Sequence, residues 1–447
     1  MTPLDTLAAR LLDAARAAGA EAADALVVRG SQSSVDVRGG RLEEAQRAEG
    51  VDLGLRVLIG RRQAVVSSSD ARDATLAAMA ERAVAMAREA PEDPSAGLAE
   101  PSQLVTERDA GALEIADPAP EPEPAELEAQ SREAEAAALA VPRVTQVEAA
   151  GAGWSRREVF LAASNGFAGG YVRTGRSLSC GAISGTGTGM ERDWDWDSRV
   201  FADELRSASE IGRTAGERAA ERAGSRKPRT GSFPILFDER VASSLIGHLL
   251  SAINGAAIAR GSSFLRDALG EMVLPEGLSI TEDPHRPRSS ASRLWDAEGL
   301  PTRARALVED GRLTTWVLDL ASARRLGLES TGHASRSPGG TPSPSVTNIE
   351  LTQGEASRED LMRQMGTGLL VTSMIGSTIN PNTGDYSRGA SGFWVEGGEI
   401  AYPVNECTVA GNLRDMLRRM VPANDARPWL TRVVPSLLVE GMTLAGD

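Results

Sequence analysis

The spacing of hydrophobic residues near the start of the chain predicts an amphipathic helix. Leu4, Leu7 and Leu11 recur at intervals of three and four residues, which places them on one helical face. Thr2 is a suitable N-cap, and Gly19 supplies an end signal. The segment lacks the basic and long apolar regions of a signal peptide, so we expect it to be part of the fold.

Apolar and polar residues then alternate, which predicts strands. The alternation is short around Val35 and longer over residues 51–59. A second helix is predicted to begin at a cap on Ser69 or Asp70 and to end before Pro91. The first part of the chain is therefore predicted to combine helices and a half-buried sheet.

A segment rich in proline and acidic residues marks a boundary. Residues 117–128 read Asp-Pro-Ala-Pro-Glu-Pro-Glu-Pro-Ala-Glu-Leu-Glu, a composition that favours an extended linker or a solvated lead-in to a helix. We therefore predict an N-terminal α+β domain over residues 1–100 and a Pro/Glu-rich linker over residues 101–128.

The middle of the chain is predicted to be rich in β-hairpins. Short β-like runs alternate with turns between Val144 and Arg199, and Asn165-Gly166 is a strong hairpin signal. A long Ala/Glu/Arg helix is predicted from Phe201 to about Ala223. These elements define a predicted middle domain over residues 129–228.

One acidic run in this segment resembles a calcium-binding loop. Asp193, Asp195 and Asp197 follow the spacing of an EF-hand, but Trp194 and Trp196 are bulky and the sixth loop position is serine instead of glycine. We therefore predict no calcium site. We interpret the run as a strand with the two tryptophans on one face and the three aspartates on the other, wetter face.

The last part of the chain is predicted to form a C-terminal domain over residues 229–447. It begins with an apolar strand at residues 233–237 and a helix at about 239–255. Gly397-Gly398 lies between two β-like runs and predicts a two-residue hairpin turn. Residues 335–345 form a long polar segment, predicted to be a surface loop.

These elements predict an α+β fold. It should contain an N-terminal α/β unit, a β-rich middle segment and a large mixed α+β C-terminal domain with an extensive antiparallel sheet. The formal net charge of -14 argues against a nucleic-acid partner. No apolar run reaches the roughly 20 residues that a membrane helix needs. Two isolated cysteines, Cys180 and Cys407, fit a reducing cytoplasm.

The histidines limit the chemistry that the chain can perform. Only His248, His285 and His333 occur, far apart, so a His-Glu-x-x-His zinc helix is impossible. The Ser-Gly-Thr-Gly-Thr-Gly run at residues 184–189 lacks the lysine of a Walker loop and the spacing of a dinucleotide fingerprint. No Gly-x-Ser-x-Gly elbow is present. The residues therefore predict no catalytic, cofactor or metal site in this chain.

Several distinctive stretches lie in order along the chain. The most specific is Asn380-Pro-Asn-Thr-Gly-Asp-Tyr-Ser-Arg-Gly389, followed by Phe393-Trp-Val-Glu396. The others are Gly50–Val57, Ser244–Gly255, Gly261–Leu265, Pro342–Asn348, Gly397–Glu399 and Leu438–Gly446. In these stretches the chain resembles the TldD/PmbA family, once called modulators of DNA gyrase, and more closely its PmbA (TldE) branch.

The resemblance implies a peptidase of two subunits. The TldD-type subunit carries His-Glu-x-x-x-His on a helix and a C-terminal cysteine as zinc ligands, and it pairs with a TldE-type subunit that lacks them. Placing that helix on this chain puts Gly247 and His248 at the His-Glu positions and Ala252 at the second histidine. The segment matching the cysteine reads Asn424-Asp-Ala-Arg-Pro-Trp-Leu430. The C-terminal domain is thus expected to be the metal-free counterpart of a zinc peptidase domain.

The resemblance therefore predicts that this chain is a non-catalytic subunit and is inactive alone. The zinc ion is expected in a TldD-like partner, and the two subunits together are expected to degrade or trim unfolded peptides. In isolation the chain is expected to be capable of forming a homodimer. The candidate peptide or partner contacts are His248 and the polar turn residues Asn380, Asp385, Tyr386 and Arg388. The alternatives are a free-standing peptide-binding or regulatory protein and an autonomous hydrolase with an unrecognised site.

Overall fold

A computed structural model describes residues 2–446. A six-stranded antiparallel sheet joins the first and middle parts of the chain in the order β3-β2-β1-β4-β5-β6. Its strands are β1 (Ala22–Arg38), β2 (Arg41–Ile59), β3 (Arg62–Ser68), β4 (Val144–Ala163), β5 (Ala168–Ser184) and β6 (Glu191–Arg199). Because β1 pairs with both β2 and β4, the sheet is continuous across the acidic segment predicted as a linker.

Four helices cover one face of this sheet: α1 (Leu4–Ala17), α2 (Asp73–Glu89), α3 (Pro124–Leu139) and α4 (Ala208–Glu221). Residues at odd positions of β1 pack under them, with Val27 in the core of α1 and α2 and Val35 in the core of α3 and α4. The even residues Leu26 and Val28 face the C-terminal part of the chain and pack with Trp295.

Three helix starts differ from the sequence prediction. Pro3, not Thr2, is the N-cap of α1, and Arg72 is the N-cap of α2. The helix predicted from Phe201 begins only at Ala208, because Ser207 caps it by accepting a hydrogen bond from the Glu210 N–H.

The faces of β6 are reversed relative to the prediction. Asp195 is 1% exposed and Trp194 is 50% exposed, so the aspartates do not lie on a wetter face. Asp195 is opposite Cys180 on β5, under α4, where Arg206 and Arg218 each lie 2.8 Å from one of its oxygens. Arginines supplied by the following segment compensate the buried charges, which a strand pattern alone does not reveal.

The C-terminal part contains a second six-stranded sheet in the order β16-β15-β14-β7-β19-β17, and β16 also pairs with β19, which closes five strands into a barrel. The pairs are antiparallel except for β14 and β7. Its strands are β7 (Gly231–Phe237), β14 (Gly368–Ile379), β15 (Asp385–Glu396), β16 (Glu399–Asn412), β17 (Val421–Pro422) and β19 (Leu437–Ala445). The predicted turn at Gly397-Gly398 joins β15 to β16, with φ values of 62° and 84°.

Smaller elements pack around this barrel. The helices are α5 (Glu239–Ala252), α6 (Gly255–Ala259), α7 (Leu320–Leu326), α8 (Arg358–Met365) and α9 (Leu413–Arg419). A minor sheet has the order β10-β9-β8-β13-β18, formed by β8 (Ile280–Glu282), β9 (Arg305–Glu309), β10 (Arg312–Leu313), β13 (Ile349–Leu351) and β18 (Arg432–Val433). The helix predicted to reach residue 255 ends at Ala252. A separate helix, α6, follows, and Asn254 is its N-cap.

The polar segment at residues 335–345 is anchored against the first sheet. It is bounded by a short hairpin of β11 (Ala334–Ser335) and β12 (Ser343–Pro344). Arg336 forms an ion pair with Asp24 of β1, and its side chain is only 1% exposed. Pro338 approaches β2 so closely that a β-carbon on Gly54 would lie 2.1 Å from its carbonyl oxygen. The segment therefore joins the two large sheets.

The α+β fold class is confirmed, including the β-rich middle and the large, mainly antiparallel C-terminal sheet. Among residues 2–446, no helix combines the length and apolar character required to cross a membrane.

Candidate functional site

Three of the five candidate residues lie together where α5 packs on β15. The ring of His248 contacts the ring of Tyr386 edge to face, with 5.9 Å between centroids. Tyr386 and Arg388 are two residues apart on β15 and project from the same face of the strand, toward α5. Arg388 donates to the Gly376 carbonyl at 2.7 Å and lies 3.5 Å from the Ser244 hydroxyl.

The electrostatics of this cluster favour a neutral histidine and a neutral tyrosine. Burial lowers the pKa of His248, and the positive charge of Arg388 lowers it further. Burial raises the pKa of Tyr386 to about 12, although Arg388 acts in the opposite direction. His248 Nε2 is buried and has no hydrogen-bond partner within residues 2–446. The cluster thus offers one guanidinium charge and one neutral imidazole.

The other two candidates stabilise the turn between β14 and β15. Asn380 Oδ1 accepts a hydrogen bond from the Asn382 N–H at 3.0 Å. Asp385 accepts from the Thr383 hydroxyl at 2.6 Å and from Asn412 Nδ2 at 3.1 Å, and these hydrogen bonds lower its pKa. Both side chains are exposed, and alternation along β15 directs Asp385 away from the face that carries Tyr386.

The structure adds two residues that the sequence reasoning missed. Ser244 lies one helical turn before His248 on α5 and contacts Arg388, so its i, i+4 spacing was an available signal. Arg432, on β18, places Nη1 only 3.1 Å from where a β-carbon on Gly247 would stand. No sequence signal marks Arg432, because it lies nearly two hundred residues farther along the chain.

The residues on α5 do not fit the zinc site that the resemblance implies for a TldD-type subunit. Gly247 and Ala252 offer no side-chain ligand atom, and the Arg432 guanidinium occupies the space beside Gly247 that a larger side chain would need. The other imidazoles are engaged elsewhere: His285 with Thr302 at 3.0 Å, and buried His333 with Glu282 at 2.5 Å. Residues 2–446 contain no group of three or more His, Cys, Asp or Glu side chains suited to a metal ion.

A cleft of about 730 Å³ lies between β6 and the strands β14 to β16. Its lining includes three large apolar side chains that are largely exposed: Met190 at 48%, Trp194 at 50% and Ile375 at 75%. Met374, the acceptor of the Tyr386 hydroxyl, also lines it. Exposed apolar side chains gathered around a concave surface are typical of a binding site.

Comparisons with known proteins agree along the whole chain. Sequence profiles of the PmbA/TldA metallopeptidase domain 1, central domain and C-terminal domain match residues 23–87, 117–225 and 230–446. Metalloprotease PmbA of Escherichia coli O157:H7 is 36% identical over 428 residues, covering 96% of this chain and 93% of the relative.

Solved structures give the same result. A protein described as a modulator of DNA gyrase from Bacteroides thetaiotaomicron superposes with a TM-score of 0.89 at 27% identity, covering 99% of this chain and 98% of its own. TldE from Thermococcus kodakarensis shares the fold with a TM-score of 0.85 at 21% identity, covering 98% and 99%. The chain belongs to the PmbA/TldD family of metalloprotease-like proteins.

Proposed function

We propose that this chain is the non-catalytic, TldE-like subunit of a cytoplasmic zinc peptidase, in which a TldD-like partner holds the metal and the pair degrades or trims unfolded peptides. The observation that carries the proposal is the surface of α5. Where the catalytic branch of the family has two histidines, this helix has Gly247 and Ala252, and Arg432 covers the first position.

The cleft between the two sheets supports a role in peptide binding. Unfolded peptides differ from folded proteins in exposing apolar side chains, and Met190, Trp194 and Ile375 offer apolar contacts around the cleft. Arg388 and the turn at residues 380–384 lie at the same end of β14 and β15. Fixed polar groups beside an apolar cleft can orient an extended substrate without supplying a metal ligand.

The cysteines agree with a cytoplasmic location. Cys180 and Cys407 are both unpaired and buried. Burial raises the pKa of Cys180 to about 12 and that of Cys407 to about 11. Both thiols are thus protonated and unreactive at neutral pH, as expected for structural cysteines in a reducing compartment.

Reconstitution tests this proposal. The purified chain, a TldD-type subunit with an intact His-Glu-x-x-x-His helix, and an equimolar mixture should be compared by light scattering, zinc analysis and cleavage of an unstructured peptide. We expect the chain alone to hold no stoichiometric zinc and to be inactive, and the mixture to form a heteromeric complex that cleaves. A partner whose motif glutamate is replaced by glutamine is the matched control. Chelator-removable zinc and cleavage by the chain alone would refute the proposal.

A further inference from the structure

A second cavity lies on the opposite side of the first sheet from its helices. Its volume is about 340 Å³, within the range of small-molecule sites. Its floor is formed by alternate residues of β1, β4 and β5, and its far wall by the segments 290–297, 335–336 and 345–347 of the C-terminal part. It shares no residue with the α5 cluster or with the cleft beside β6.

Two arginines on the cavity floor are directly opposite each other on neighbouring strands. Arg157 of β4 pairs in register with Arg173 of β5, and both line the cavity. Like charges at directly opposed positions of an antiparallel pair repel and destabilise the sheet. Burial is the main cause of the lowered pKa of Arg173; Tyr171 acts in the opposite direction, and the charges of Arg293 and Arg157 lower the pKa further.

Arg157, Arg173 and Arg293 lack a direct carboxylate partner within residues 2–446, and Asp296 interacts with Arg293 electrostatically without forming an ion pair. The ion pairs of residues 2–446 include none to Arg157, Arg173 or Arg293. Arg173 donates to the Ser292 carbonyl at 2.7 Å, and Arg293 donates to two other backbone carbonyls. Neutral carbonyls satisfy donors, but they do not cancel a formal charge.

The one carboxylate in the lining is turned toward the backbone. Asp296 accepts hydrogen bonds from the backbone N–H groups of Glu298, Leu300 and Ala334, at 2.9 to 3.0 Å. Arg336, which also lines the cavity, forms an ion pair with Asp24, a carboxylate that Arg56 shares. Apart from Arg336, the lining thus holds three guanidinium charges and one carboxylate, an excess of two positive charges, within a chain whose net charge is -14.

The remaining walls combine apolar and aromatic side chains with the hydroxyl residues Ser290, Ser335, Ser345 and Thr347. Val28 and Val159 lie on the floor, and Tyr171 packs against Trp295 with 5.4 Å between ring centroids. The Arg173 guanidinium stacks 5.2 Å from the centre of the Tyr171 ring. A ligand that fits this cavity would place an oxyanion among the arginines and an apolar or planar group against the aromatic wall.

We propose that this cavity binds a small molecule that carries a carboxylate or phosphate group on an apolar or aromatic body. Bound anion offsets the repulsion between Arg157 and Arg173 and bridges the first sheet to the C-terminal part. The ligand therefore stabilises the arrangement of the two large sheets, independently of the peptide-binding role proposed above.

Calorimetric titration of the purified chain tests the proposal. The probes are benzoate, phenyl phosphate and neutral benzamide, each at constant ionic strength set with chloride. We expect saturable binding of one molecule per chain for at least one anion and no binding of benzamide. The anion that binds with the higher affinity shows whether the site prefers a carboxylate or a phosphate group. Absence of saturable binding by both anions at millimolar concentrations would overturn the proposal.

A pair of variants separates a built site from general charge attraction. Arg157 is exposed and its side chain forms no hydrogen bond or ion pair within residues 2–446, so Arg157→Gln should fold normally. It should weaken anion binding at least tenfold and abolish the anion-induced rise in melting temperature. Arg41→Gln, an exposed and unpaired arginine on the same sheet, should leave both unchanged. Equal affinities in wild type and Arg157→Gln, or equal losses in the two variants, would refute the site.

Discussion

Replacing Asp195 by alanine should destabilise the middle of the molecule strongly, although the residue lies on an edge strand. Its two oxygens lie 2.8 Å from Arg218 and from Arg206, and the side chain is 2% exposed. Removing one partner of a buried ion pair costs about 3–5 kcal/mol, because the opposite charge is left uncompensated. Here the Arg206 side chain is 21% exposed and that of Arg218 is 24% exposed, and Arg206 keeps its ion pair with Glu210. We therefore expect a loss at the low end, about 3 kcal/mol.

Urea denaturation followed by tryptophan fluorescence measures this loss, because Trp194 and Trp196 flank the substituted residue. Asp267→Ala is the surface control. That carboxylate is 86% exposed and pairs only with neighbouring Arg266, so its removal should cost less than about 0.5 kcal/mol. A loss below about 1 kcal/mol for Asp195→Ala would refute the interpretation of the buried acidic face as a compensated charge cluster.

Three further predictions concern other parts of the chain. Burial, followed by the Asp296 charge, raises the pKa of Glu298 from 4.5 to about 8, so the folded chain holds a proton that the unfolded chain releases, and stability falls as the pH rises from 4.5 to 8. Glu298→Gln should remove this fall and stabilise the chain at pH 9 by on the order of 4 kcal/mol. An unchanged melting temperature of this variant at pH 9 would contradict the prediction. Arg388→Ala combined with Asp385→Ala should impair cleavage by the reconstituted pair while the complex still assembles; a normal rate would make both residues structural. Gly54→Ala should cost about 1–3 kcal/mol through its collision with the 335–345 segment, whereas Gly50→Ala on the same strand meets no atom within 4 Å and should not destabilise.

Periodicity predicted those elements whose stability is decided locally. The spacing of Leu4, Leu7 and Leu11 predicted α1, and alternation predicted strands within β1 and β2, although not their pairing as a hairpin. The Gly397-Gly398 turn was predictable because its positive φ values require glycine-like residues.

Features that depend on distant partners were not predictable in this way. The predicted orientation of the two faces of β6 was wrong, because the arginines that allow Asp195 to be buried come from α4 and from the segment before α4. The candidate residues His248 and Arg388 were identified from a family resemblance, but their contact depends on how α5 packs on β15. The arginine cavity had no sequence signal, since Arg157 and Arg293 come from different sheets and loops.

The pairing of β1 with β4 has a consequence for how the chain folds. Ala23 of β1 bonds to Ser164, which is 141 residues away, so this pairing must close a long loop before its contacts compensate the lost chain entropy. The residues of β1 to β3 are synthesised before those of β4. The edge of β1 that pairs with β4 therefore stays unpaired until the chain has been synthesised to residue 163. That edge is a template for pairing with other chains. We therefore expect nascent or truncated chains that end between β3 and β4 to aggregate more readily than the full chain.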